Sequence, residues 1–110
     1  VWLARRGHEP GQGRWSMPGG FVDLGETVET AVARELREEL CVDSDVGRVV
    51  GVYSHADKNV VVIAFEATLK GSPRPTSEAP EVRAFAPDEI PWDELAFETD
   101  GAALRDLLGA

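Results

Sequence analysis

A mixed α/β or α+β domain is what this 110-residue sequence predicts, on three observations. Residues 26–40 run without Gly or Pro and are rich in Ala, Leu, Glu and Arg, the composition of a helix. Two runs, Val46 to Tyr53 and Asn59 to Leu69, are rich in Val and Ile and flank His55-Ala56-Asp57-Lys58, so they read as neighbouring antiparallel strands. Near the end, Leu104, Leu107 and Leu108 share one face of a helix for which Thr99 is a suitable N-cap. The length and an apolar fraction of 43% suit a single domain over residues 1–110 and exclude a disordered acidic chain.

The other elements follow in order. Val1-Trp2-Leu3-Ala4 is short and apolar and reads as a strand. Gly7 to Gly13 is a loop by its Gly and Pro content, and Trp15 to Gly20 is a tight turn leading into a short strand at Phe21-Val22. Gly71 to Pro80, with three prolines, is a loop before a short strand at Glu81 to Ala86. Pro87 to Leu95 reads as a turn with a short helix. There is no internal repeat and no long linker. No initiator Met opens the chain, and Val1 to Arg5 already reads as a strand in progress, so residues before it are expected to be missing.

Charge narrows the function. Twenty Asp and Glu against eleven Lys and Arg give a net charge of -9, which argues against sequence-independent nucleic-acid binding and against docking on anionic lipid. The longest apolar run, Val60 to Phe65, is far too short to span a bilayer. Cys41 is the lone cysteine, so no intrachain disulfide forms, no Cys/His cluster suggests zinc, and a reducing cytoplasm is the default compartment.

The informative segment is Arg34-Glu35-Leu36-Arg37-Glu38-Glu39. At about 3.6 residues per turn, Glu35, Glu38 and Glu39 fall within an arc of roughly 100°. They repel one another, sit toward the negative end of the helix dipole, and lead toward the core. A divalent cation would reverse the sign of all three penalties. The competing reading is a solvated acidic face paired with Arg34 and Arg37. The preceding Gly19-Gly20 turn favours a cation, because bare backbone there can approach the helix and a carbonyl of either glycine could add an oxygen. Oxygen-only ligation suits Mg²⁺ or Mn²⁺, which also accept phosphate oxygens.

Gly20, Glu26 and Arg34-Glu35-Leu36-Arg37-Glu38-Glu39-Leu40-Cys41-Val42 resemble the Nudix hydrolase signature, with Cys41 where that pattern has Gly. Trp15-Ser16-Met17-Pro18-Gly19-Gly20 is similar to the family's entry into the signature, and Glu81 to Phe85 to its late strand. The resemblance implies an α/β/α sandwich with a mixed sheet, in a chain that lacks the family's first N-terminal strand. It also implies Mg²⁺-dependent hydrolysis of a nucleoside diphosphate linked to another group, such as ADP-ribose, NADH or a nucleoside triphosphate. Carried over by position, Glu35, Glu38, Glu39 and the Gly19 carbonyl would hold metal, and Glu35 is a candidate general base. Glu26 would pair with Arg34 to keep loop and helix in register, with a plain Arg34–Glu38 surface pair as the alternative. Another carboxylate is expected from a later loop, with Glu78 the first choice and Glu81 the second, against a solvated loop acid.

Trp15, Trp92 and Phe97 are aromatics on which a base could stack, with core packing as the alternative for each. Arg14, like Arg5 and Arg6, could meet phosphates or simply face solvent. His8 and His55 read as ordinary surface residues. Cys41 reads as a structural variation at the helix stop, with acidic neighbours and no sign of a nucleophile. The proline that marks many ADP-ribose pyrophosphatases about sixteen residues past the signature is missing. A nucleotide diphosphate is the expected partner; no nucleic acid or membrane is, and a homodimer is left open. The alternatives are a Nudix-like module that senses a nucleotide without cleaving it, and an acidic interaction domain.

Overall fold

The computed structural model describes residues 1–109. Five strands and two helices follow one another as β1 (Trp2–Arg5), β2 (Trp15–Ser16), α1 (Val28–Leu40), β3 (Ser44–His55), β4 (Val60–Leu69), β5 (Glu81–Ala84) and α2 (Glu98–Leu108). Two 3₁₀ turns, Pro87–Glu89 and Trp92–Glu94, connect β5 to α2. No helix among the described residues is long and apolar enough to cross a membrane.

Strand alternation creates the layers. On β1, Leu3 packs with Trp15, Phe85, Ile90 and Leu104, the last from α2. Its neighbour Ala4 points the other way, to Leu36 and Leu40 of α1 and to Val42 and Ala79. The sheet of order β2-β1-β5 therefore lies between the two helices. Leu3, Trp15, Leu40 and Leu104 are fully buried. Each contributes about 1.5–3 kcal/mol by leaving water, which makes these four the anchors of the sandwich.

The ladders are antiparallel: β1 with β2 and with β5, and β3 with β4 as a separate ribbon. A single bridge, Trp15 to Leu95, is parallel. The β3–β4 register shifts between Val46 and Gly51, so the long ribbon bends. Its hydroxyl from Tyr53 reaches Asp106, and its His55 ring meets the Thr99 hydroxyl, which together dock the ribbon on α2. His55 is thus a half-buried strut between ribbon and helix, in contrast to the surface residue expected.

Helix α1 starts two residues later than its composition suggests. Thr27 is the N-cap, its hydroxyl accepting the Thr30 N–H at 3.1 Å, and Glu26 stays outside the helix. The helix ends on Cys41 in the left-handed region (φ 53°, ψ 40°), whose N–H donates to the Arg37 carbonyl at 3.0 Å. A non-glycine residue here accepts the usual αL strain in return for the stop.

Three expectations need correction. Phe21-Val22 forms no strand; no neighbour pairs with it, both side chains are exposed, and the Phe21 carbonyl instead accepts from Arg34. The late strand ends at Ala84, because Phe85 turns into the core. Helix α2 is capped at Phe97, not Thr99: the Asp100 carboxylate reaches back to the Phe97 N–H at 3.1 Å, one half of a capping box. This frees the Thr99 hydroxyl for His55.

Candidate functional site

Glu35, Glu38 and Glu39 project from the last two turns of α1, toward the irregular segment that links β2 to α1. Gly19 and Gly20 lie in that segment. The Gly19 N–H donates to Glu39 Oε2 at 3.0 Å. The engaged group is thus the amide; the signature implies a role for the carbonyl. Gly20 packs so closely that an added Cβ would stand 2.5 Å from Cδ and from Oε1 of Glu35. Only a residue without a side chain leaves space for that carboxylate.

Arg34 organises the rest. Its Nε donates to Glu26 Oε2 at 2.7 Å and its Nη2 to Glu26 Oε1 at 2.9 Å, a two-pronged pair. Nη2 also donates to the Phe21 carbonyl at 3.0 Å. Nη1 donates to Glu35 Oε1 at 2.8 Å and to Glu38 Oε2 at 3.1 Å. The Asp23 N–H donates to Glu26 Oε1 at 2.8 Å, closing the loop on itself. The two readings of Arg34, loop pairing with Glu26 and a helical pair with Glu38, are both realised by different nitrogens of one guanidinium. The hydrogen bonds from Arg34, then from the Asp23 N–H, hold the Glu26 carboxyl below its usual range.

Glu39 has the opposite environment. Burial, first, pushes its carboxyl up to about 7, and the nearby carboxylates of Glu35 and Glu78 add to the rise. The Gly19 N–H and the Arg6 cation oppose it. Glu78 lies on the loop before β5 and lines one cleft with Glu39, Arg6, His8, Ser16 and Met17. The backbone bond from the Gly7 N–H to the Glu78 carbonyl, 3.1 Å, brings that loop to β1. Glu81, the second choice, is drawn away by ion pairs to Arg5 and Arg83.

Among the described residues no three His, Cys, Asp or Glu side chains form a ready-made metal cage. Glu35 and Glu38 turn instead to Arg34, and Glu39 turns to Gly19. The donor set nonetheless fits a hard cation. It consists of carboxylate oxygens, one of them desolvated among like charges, against a backbone with no side chain in the way.

Two residues expected at the substrate are elsewhere. Trp15 is 2% exposed, with Phe85 edge-on at 5.1 Å and the Arg5 guanidinium 4.7 Å from its ring centre. Its apolar bulk is worth more in the core, and no face is free to stack on a base. Arg14, an exposed residue, donates through Nη1 to the carbonyls of Asp93 at 3.2 Å and Leu95 at 3.5 Å. Of the other aromatics, Phe97 lies under the Arg6 guanidinium at 5.0 Å, and Trp92 is 38% exposed beneath Arg105. Arg6, one of three arginines that could meet phosphates, lines the cleft with His8, which the sequence gives as an ordinary surface residue. The doublet Arg5-Arg6 was the only local signal, and nothing in it separates the arginine that faces Glu39 from the one that pairs with Glu81.

The model of the NUDIX domain family matches residues 1–107. A MutT-like protein of Streptomyces ambofaciens is 38% identical over 97 residues, covering 87% of this chain and 62% of the relative. The ADP-ribose pyrophosphatase of Methanocaldococcus jannaschii is 36% identical over 103 residues, covering 89% of this chain and 60% of the relative. The crystal structure of a NUDIX hydrolase from Nitrosomonas europaea superimposes with a TM-score of 0.92 at 34% identity, covering 96% of this chain and 60% of that one. The chain spans about three fifths of the length of these relatives. The fold implied by the signature is the fold observed.

Proposed function

The chain belongs to the NUDIX domain family, and we propose that it hydrolyses the diphosphate bridge of a nucleoside diphosphate linked to another group. ADP-ribose, NADH and nucleoside triphosphates are the substrate classes, the first favoured by the relative named as an ADP-ribose pyrophosphatase. The observation that carries the reading is the stripe of Glu35, Glu38 and Glu39 set against Gly20, whose bare α-carbon admits the Glu35 carboxylate.

Glu35, Glu38 and Glu39, with the Gly19 carbonyl, would hold Mg²⁺ or Mn²⁺. Such a cation would neutralise phosphate charge and make its bound water more acidic. Glu35 acts as general base, taking the proton of the attacking water; its Oε1 is oriented by Arg34 Nη1 at 2.8 Å. Glu78, which lines the same cleft as Glu39, is the second acid at the site. Glu26 and Arg34 hold the glycine segment against α1, so that base and backbone keep a fixed spacing. Arg6 supplies positive charge at the cleft, beside Arg5, which is paired with Glu81.

The test is Glu35→Gln, which keeps shape and removes the base. Release of AMP from ADP-ribose with Mg²⁺, followed by chromatography, should fall about 10²–10⁴-fold with unchanged melting temperature. Full activity in that variant overturns the assignment, and calorimetric titration with Mn²⁺ that shows no binding overturns the metal site.

A further inference from the structure

Asp100 is the one charged side chain in the buried set among the described residues, 2% exposed, and nothing in the proposed hydrolysis uses it. It accepts from the Ser16 hydroxyl, from the Met17 N–H and, through its second oxygen, from the Phe97 N–H, each at 3.1 Å. We propose that Asp100 is a positioning residue: it ties the Ser16–Met17 backbone to the start of α2 and thereby sets where Gly19 and Gly20 meet Glu39 and Glu35.

Ser16 ends β2, and Met17 opens the irregular segment that carries Gly19 and Gly20. Two residues beyond Met17, the Gly19 N–H holds Glu39, and the next residue packs on Glu35. Pro18 lies between, with its φ fixed by the ring, so a shift at Met17 is passed on to Gly19 with little slack. The opposite anchor is firm: α2 carries Leu104 into the core and is held by the β3–β4 ribbon through Thr99 and Asp106. Burying a carboxylate is costly, and an apolar pair would hold two elements together at less expense. What an apolar contact lacks is direction. A carboxylate that takes a backbone N–H from each element fixes their relative height and angle, which is what a metal-binding backbone turn requires.

This inference rests on the proposed hydrolysis for its kinetic readout, and a second readout is independent of it. Asp100→Ala should lower kcat for ADP-ribose about 10²-fold, the cost of a misplacement near 1 Å, while KM changes far less. Asp100→Asn retains an oxygen for Ser16 and Met17 and should recover kcat to within about ten-fold of the wild type. Leu108→Ala, in the same core but away from the turn, is the control for lost stability. Independently, hydrogen exchange by NMR should show the Gly19 amide exchanging about ten-fold faster in Asp100→Ala than in the wild type, with no change in Leu108→Ala. If kcat in Asp100→Ala falls no further than in Leu108→Ala, or the Gly19 amide is unmoved, the positioning role is wrong. If the wild type cleaves no diphosphate substrate, the hydrolytic reading fails, and the Gly19 amide alone then decides the positioning role.

Discussion

In Gly20→Ala the added methyl carbon would stand 2.5 Å from Glu35 Cδ and Oε1 and 2.8 Å from Oε2. Ordinary contact between such atoms is about 3.5 Å, so the carboxylate must retreat by about 1 Å. Gly20 is not among the residues with positive φ, so alanine adopts its backbone without strain. The obstructing atoms are the end of a flexible side chain, and the fold absorbs the change: stability should shift by less than about 1 kcal/mol. Turnover should not be so tolerant. A displacement of that size in a catalytic group costs about 10²-fold in rate, because the water and the base no longer meet in line. The assay pairs initial rates of AMP release from ADP-ribose at saturating Mg²⁺ with melting curves followed by circular dichroism. A variant within two-fold of wild-type turnover, about 0.4 kcal/mol in barrier, would refute the claim that the Glu35 position against Gly20 matters.

Further outcomes follow from the same contacts. Cys41→Gly relieves a side chain held at φ 53° and should stabilise the fold by about 1 kcal/mol, read as a rise of roughly 4 °C in melting temperature. Arg34→Ala should lower the melting temperature and turnover together, and Arg34→Lys should restore neither fully, since an ammonium cannot span both Glu26 oxygens while reaching Glu35 and the Phe21 carbonyl. Glu39 makes metal-free stability pH-dependent: with its folded pKa raised to about 7, the native state holds an extra proton between the ordinary carboxyl range and 7. Its contribution is therefore full at low pH and is lost as pH rises through that window. Mn²⁺ should accordingly raise the melting temperature more at pH 8 than at pH 5, and Glu39→Gln should flatten the metal-free slope.

Residues whose partners lie within one or two helical turns were legible from the chain itself. The arc of Glu35, Glu38 and Glu39 and the Arg34–Glu38 pair follow from helical spacing, and the helix stop at Cys41 was implied by the resemblance. The Glu26–Arg34 pair was implied by the resemblance, and eight residues separate the two along the chain. The β3–β4 hairpin was readable for a similar reason, since a short turn between β-branched runs leaves few other pairings. Burial and long-range partners were not. Trp15 looks equally suited to a cleft or a core, and only the packing of Phe85 and two arginines about its ring decides for the core. Thr99 is the better N-cap by residue type, yet the cap is Phe97, whose N–H donates to an Asp100 carboxylate that also holds the Ser16 hydroxyl 84 residues away in the sequence. The closeness of Glu78 to Glu39, with Arg6 in the same cleft, comes from a loop tied to the end of α1 by the Thr76 hydroxyl on the Glu39 carbonyl and by the Arg74 N–H on the Leu40 carbonyl, and to the start of the chain by the Gly7 N–H on the Glu78 carbonyl. Local order follows the periodicity of one chain segment, whereas the electrostatics of a cleft depend on which segments tertiary packing brings within a few ångströms of each other.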